Sequence, residues 1–128
     1  MAYVLDTTAL VSYFKAELLG AQVRDMLLQQ PSNLLLPFMA IMEAQYVLAR
    51  TFTPAQVGQL IATLRALGAP VVESDPAWGA AAARVKSSGG LSLADAWIAS
   101  LALMHDAELV HKDPEFDRVK GLRSYRLD

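Results

Sequence analysis

Short apolar runs recur along this chain, and each is separated from the next by a longer stretch with helical spacing. Residues 2–5 make a brief strand candidate, followed by an amphipathic stretch over residues 8–29. Pro31-Ser32-Asn33 is a turn, and Leu34-Leu35-Leu36 reads as a second buried strand. Residues 38–51 read as a helix, because Phe38, Ile41, Met42, Leu48 and Ala49 follow the three-four spacing. Thr53-Pro54 has the form of an N-cap with proline at the first helical position, opening a helix that runs to Leu67 and stops at Gly68. Residues 70–73 are a third strand, Asp75-Pro76 caps an alanine-rich helix to Ser87, and the loop Ser87-Ser88-Gly89-Gly90 leads to a helix over residues 92–105. Residues 108–111 are a fourth strand, Asp113-Pro114-Glu115-Phe116 opens a single turn, and residues 122–127 supply a fifth strand. Short strands separated by helices favour a parallel sheet covered on both faces, an α/β/α sandwich with four or five strands. Ligands then bind outside the carboxyl ends of the strands.

At 128 residues the chain is the size of one domain, spanning residues 1–128. Hydrophobic residues make up 54% and charged residues 19%, which excludes a disordered or low-complexity chain. There is no cysteine, so disulfide scaffolds, thiolate zinc sites and cysteine nucleophiles are out. The net charge is −2, and each half is near −1, so a polyanion partner has to be held by a local patch or a metal. The first residues lack a basic region and carry Asp6 early, unlike a signal peptide. The uncharged residues 26–42 are broken by Gln29, Gln30, Pro31, Ser32, Asn33 and Pro37, unlike a spanning helix of about 20 apolar residues. A soluble, cytoplasmic protein with no membrane partner is expected.

Several constellations are missing. The sequence holds neither a phosphate-binding loop, nor a dinucleotide fingerprint, nor a Gly-x-Ser-x-Gly nucleophile elbow. His105 and His111 flank a strand without a third ligand at zinc spacing; His105 suits a helix C-terminus, where a cation is favoured.

Four carboxylates stand in strongly apolar surroundings: Asp6, Glu43, Asp95 and Asp113. Acids are rarely buried unless they are paired or bind metal. Three of them also fit as helix caps. Asp6 precedes Thr7 and Thr8, Ser92-Leu93-Ala94-Asp95 has the form of a capping box, and Asp113 precedes Pro114. Glu43 has no such reading, since it lies mid-helix among apolar neighbours. The expected sheet puts Asp6 and Asp113 at the carboxyl ends of two strands, flanked by the helices that carry Glu43 and Asp95. Two unit charges about 4 Å apart repel by roughly 4 kcal/mol at an effective dielectric near 20. Four of them tolerate one another when protonated or when a divalent cation lies between them. All-oxygen ligation favours Mg²⁺ or Mn²⁺, ions that commonly act on phosphate esters.

Val4-Leu5-Asp6-Thr7-Thr8-Ala9-Leu10, the mid-helix Glu43, Leu93-Ala94-Asp95-Ala96 and Val110-His111-Lys112-Asp113-Pro114-Glu115-Phe116 occur in the order found in PIN domains. Over essentially its whole length the chain resembles that family, and most closely its VapC-type toxin ribonucleases. The resemblance implies a metal-dependent endoribonuclease whose Asp6, Glu43, Asp95 and Asp113 gather around Mg²⁺ or Mn²⁺. It implies Asp6 and Asp95 as principal ligands, Asp113 completing or bridging the coordination, and Glu43 acting through water. Hydrolysis by in-line attack then leaves 5′-phosphate and 3′-hydroxyl ends. Thr8 matches the family's small hydroxyl residue, and Asp117 matches a further acidic position seen in some members. His111 departs from the pattern, because the family usually has Thr or Ser there. A homodimer and a cognate antitoxin protein are also implied, with Tyr13, Phe14, Tyr46 and Phe52 as candidate contact aromatics.

For the RNA substrate, the basic residues Lys112, Arg118, Lys120, Arg123 and Arg126 form a local patch, to which Arg84 and Lys86 add a second arm. Three other readings stay open: a PIN-type RNA-processing nuclease outside a toxin–antitoxin pair, a phosphotransfer or phosphatase domain, and a silent binding module on the same fold. The phosphatase pattern wants a second Asp where Thr8 stands.

Overall fold

The computed structural model describes residues 1–17 and 20–127. Five strands form one parallel sheet: β1 (Tyr3–Leu5), β2 (Leu34–Pro37), β3 (Val71–Val72), β4 (Glu108–His111) and β5 (Arg123–Arg126). Their spatial order is β3-β2-β1-β4-β5. Six helices connect them: α1 (Thr7–Phe14), α2 (Gly20–Gln29), α3 (Phe38–Leu48), α4 (Pro54–Ala66), α5 (Pro76–Ser87) and α6 (Leu93–Met104). This is the expected α/β architecture. Strand β1 lies in the middle, with Val4 and Leu5 fully buried. Each such side chain removed from water contributes about 1.5–3 kcal/mol, so the residue that follows β1 is firmly anchored.

The strand order reverses beside β1. The chain steps outward from β1 to β2 to β3, then returns through α5 and α6 to place β4 on the other side of β1. The crevice at the carboxyl ends of β1 and β4 is therefore the switch point of the sheet. Helix α6 packs along β1, β2 and β4, and it is tied to its neighbours by an aromatic cluster. Phe38 of α3 meets Trp78 of α5 and Trp97 of α6 edge-on, both at 5.5 Å between ring centroids. Trp78 Nε1 donates to Ser100 Oγ at 2.9 Å, so the buried indole nitrogen is satisfied. These contacts fix α3 and α6, the two helices that carry Glu43 and Asp95, against each other.

Two expected helices end earlier than their apolar spacing implies. Residues 8–29 form α1 and α2 instead of one stretch, and residues 18–19 of that stretch lie outside the described residues. Ala16 has φ +52°, a left-handed conformation in which Glu17 N–H donates back to Ser12 O at 3.0 Å and closes α1. A Cβ at Gly20 would lie 2.2 Å from Ser12 O, so only glycine lets α2 start against α1. Helix α3 ends at Leu48, not Thr51, because Thr53 must turn extended to cap α4. Thr53 Oγ1 accepts from Gln56 N–H, and the Gln56 side chain accepts from Thr53 N–H, a complete capping box.

Strand β5 is an edge and is exposed along its length, with Arg123 and Arg126 as its charged guards. Of the four candidate contact aromatics, Phe14 is core, Tyr13 and Phe52 are half-buried, and Tyr46 is exposed beneath the Arg50 guanidinium at 4.8 Å. Among the described residues, no helix is long and apolar enough to cross a membrane.

Candidate active site

Asp6 directly follows β1, and Asp113 lies two residues beyond β4. Their strands are neighbours, and Asp6 N–H donates to Val110 O at 3.2 Å. Both acids open a helical segment. Asp6 caps α1, its Oδ1 accepting from Ala9 N–H at 2.8 Å. Asp113 caps the 3₁₀ turn Pro114–Arg118, its Oδ1 accepting from Glu115 N–H at 2.9 Å. Ser92 caps α6 by accepting from Asp95 N–H at 3.1 Å. The reciprocal half of a capping box does not form there among the described residues, so the Asp95 carboxylate is left facing Asp113. Capping and clustering are thus compatible: each helix N-terminus offers partial positive charge to an acid that also faces the crevice.

The carboxylates converge. Asp95, Asp113 and Glu115 each place an oxygen within 4.8 Å of the others. Asp6 is 2% exposed and feels both Asp95 and Asp113. Burial pushes its carboxyl up to about 7; the Ala9 N–H and the Thr8 hydroxyl oppose that rise, and repulsion from Asp95 and Asp113 adds to it. Asp95 is pushed up to about 6, first by burial and then by Asp113, with smaller repulsion from Glu43 and Glu115. Glu43 reaches the group from α3, and its Oε1 accepts from Thr7 Oγ1 at 2.6 Å. Thr8 Oγ1 lies 2.8 Å from Asp6 Oδ1 and 2.9 Å from Oδ2, and it accepts from Lys112 N–H at 3.2 Å. One hydroxyl therefore ties the ends of β1 and β4 together.

Asp6, Glu43, Asp95 and Asp113, singled out in the sequence, all lie at this crevice. Two residues join them that sequence reasoning passed over. Glu115 contributes a carboxylate because the Asp113 cap folds the chain back after two residues, and an acid at that spacing in a capped turn is the signal that could have found it. Thr7 holds Glu43, a contact across 36 positions with no local signature. Asp117 stands apart from the cluster, with its Oδ2 4.0 Å from Arg126. His111, the departure from the family pattern, is fully buried and meets Phe116 edge-on at 5.0 Å between ring centroids. Its Nδ1 accepts from Asp113 N–H at 3.1 Å, and burial holds the ring below the usual histidine range. A neutral imidazole thus shapes the turn without adding a cation beside the acids.

The seven basic candidates divide by environment. Lys112 pairs with Glu17 at 3.8 Å, Arg123 with Asp106 at 3.4 Å, and Arg126 with Asp117. Lys86 Nζ donates to Leu91 O at 2.8 Å. Arg84, Arg118 and Lys120 instead line one open cleft and make no ion pair among the described residues.

The donor set fits a hard divalent cation. Every group is a carboxylate oxygen, burial and repulsion from neighbouring acids raise both Asp6 and Asp95, and a cation held among the acids relieves that repulsion. Residues 3–122 match the family model described as the PIN domain. The chain belongs to the PIN domain family. This PIN domain is similar in fold to VapBC of Salmonella typhimurium, solved bound to DNA, with TM-score 0.83, 16% identity and coverage of 100% of this chain and 99% of that one. It is also similar to VapBC2 of Rickettsia felis, solved with a fragment of promoter DNA, with TM-score 0.80, 18% identity and full coverage of both chains. A third is VapC20 of Mycobacterium tuberculosis, described as a toxin that cleaves the sarcin–ricin loop, with TM-score 0.73, 12% identity and coverage of 91% and 93%. Comparison with curated proteins gives no match.

Proposed function

We propose that this PIN domain is a Mg²⁺- or Mn²⁺-dependent endoribonuclease and the toxin of a type II toxin–antitoxin pair. The observation that carries the reading is the convergence of Asp6, Glu43, Asp95, Asp113 and Glu115 at the switch point of the sheet. The likeness in fold to VapBC complexes supports the toxin assignment and an antitoxin partner.

Asp6, Asp95 and Asp113 would hold the metal, which supplies Lewis-acid polarisation of a phosphoryl oxygen and a more acidic water. Asp6 is rigid for this task because its oxygens are already fixed by Ala9 and Thr8. Glu43 is held by Thr7 on the opposite wall, placed to orient the attacking water and accept its proton. Thr8 keeps β1 and β4 at a fixed separation through Asp6 and the Lys112 N–H. In-line attack of water on phosphorus breaks the P–O3′ bond and leaves 5′-phosphate and 3′-hydroxyl ends. Met42 and Tyr46, four residues apart on α3 and both exposed, support a homodimer contact on that face.

The test is cleavage of single-stranded RNA by purified protein with Mn²⁺ or Mg²⁺, with chelator, and with Asp95→Asn. Cleavage that needs the metal and disappears in the variant is expected. Equal cleavage by wild type and variant, or by protein in chelator, overturns the assignment. Co-expression with the product of the neighbouring gene, expected to be a small DNA-binding protein, tests the toxin reading through rescue of growth.

A further inference from the structure

One cleft of about 550 Å³ lies where the end of α5, the loop before α6 and the segment after the 3₁₀ turn come together. Its cations are Arg84, Arg118 and Lys120, and no carboxylate lines it. Its apolar floor includes Val85, Leu91 and Leu103. Gly90, at φ +88°, lets Arg118 lie against the loop, since a Cβ there would meet Arg118 Cδ at 3.3 Å. The volume falls in the range of small-molecule sites. Three convergent cations with no anion among the described residues repel one another, and the arrangement calls for an anionic occupant.

The same two chain segments that wall this cleft also carry the acids. Leu91 directly precedes Ser92, the cap of the helix bearing Asp95, and Arg118 closes the 3₁₀ turn that bears Glu115. Gly90 and Arg118 of the cleft thus lie within five residues of Asp95 and Glu115 on segments that touch each other. We infer that the cleft seats one unpaired ribonucleotide beside the scissile phosphate, with Arg84, Arg118 and Lys120 on successive backbone phosphates around it and the base against the apolar floor. This rests on the nuclease reading above. An acidic peptide satisfies the cations but leaves the floor unused and brings further carboxylates toward the acid cluster, whereas a nucleotide uses both. The lining presents mainly phosphate-directed groups, so binding here is tolerant of base identity.

The test is fluorescence anisotropy with a labelled single-stranded RNA octamer, in chelator so that no strand is cut, as a function of salt. Each phosphate contact to a single strand contributes a slope of about 0.7, so the triple variant Arg84→Ala, Arg118→Ala, Lys120→Ala should lower the slope by about 2. Its affinity loss between about 50 and 200 mM salt should then be roughly 15–20-fold smaller than that of wild type. Arg24→Ala with Arg65→Ala, on α2 and α4, should leave the slope unchanged. All five side chains are exposed, and matching unfolding midpoints verify that the variants fold. An unchanged slope in the triple variant, no binding by wild type, or equal competition by poly-glutamate overturns the inference. Cleavage by wild type with Mn²⁺, run in parallel, separates the two ideas. Cutting with an unchanged slope removes the cleft and keeps the nuclease; a lowered slope without cutting removes the nuclease and keeps the cleft as an RNA site.

Discussion

Asp6→Asn should stabilise the metal-free protein at neutral pH, and the gain should depend on pH in a defined way. Asn caps a helix about as well as Asp and is nearly isosteric, so the contact with Ala9 N–H is preserved. What changes is the charge. The folded Asp6 carboxyl is raised from 3.8 to about 7, chiefly by burial. At 1.36 kcal/mol per unit, the ionised form costs the fold about 4 kcal/mol relative to the unfolded chain. Because the folded value is the higher one, the stability of wild type is fully present below pH 3.8 and is lost as pH rises through about 7. The variant escapes this loss. Its advantage should open above about pH 4, reach about 2 kcal/mol near pH 5 and level off at about 4 kcal/mol by pH 8. For a domain of this size that is roughly 15 °C in unfolding midpoint. Thermal unfolding in chelator across this range measures it, and Mn²⁺ should close the gap by stabilising wild type alone. A gap that is flat between pH 5 and 8, or one that favours wild type, refutes the electrostatic account of the crevice.

Other expectations follow from the same geometry. Calorimetry in two buffers of different ionisation enthalpy should show proton release when Mn²⁺ binds between pH 6 and 7, because Asp6 and Asp95 must deprotonate; binding without proton release contradicts the raised carboxyls. Thr7→Val should cost about 1 kcal/mol of stability and lower kcat about tenfold with KM little changed, since Glu43 loses the donor that holds it; unchanged kcat assigns Thr7 to structure alone. His111 is depressed by burial, so its contribution is present above pH 6.5 and is lost as pH falls. His111→Asn should therefore flatten the decline in unfolding midpoint between pH 6.5 and 5, and an equally steep decline assigns it to other groups.

The strands and caps were legible because each rests on local chemistry. Asp75 accepts from Trp78 N–H at 2.8 Å as its Asp-Pro start implies, and β4 spans the four residues its apolar pattern marks. The four principal acids were legible because a carboxylate inside an apolar run needs a reason, and the parallel sheet collects strand ends at one edge. The break at Ala16 was not legible, since apolar spacing continues across it and no glycine marks the left-handed turn. The sequence grouped Arg84, Arg118 and Lys120 with four other basic residues but could not single out the three that share a cleft. Arg84 sits 34 positions before Arg118, and only the packing of α5 beside the 3₁₀ turn brings them to one cavity while neighbouring basic residues pair elsewhere. Asp117 matches an acidic position seen in some family members, yet the tight turn sends it toward Arg126.

The position of β1 between β2 and β4 governs when this site can come into being. Tyr3 pairs with Glu108, so the central strand of the sheet waits for a partner made about a hundred residues later. At roughly 5–20 residues per second, ribosomes need several seconds to pass from Asp6 to Asp113. Late in that interval the nascent chain contains Asp6, Glu43 and Asp95, but the wall built by β4 and the turn after it does not yet exist. Asp113 and Glu115 join the other acids only when β4 docks beside β1, among the last events of synthesis. Completion of the acid cluster therefore waits until nearly the whole chain has been made.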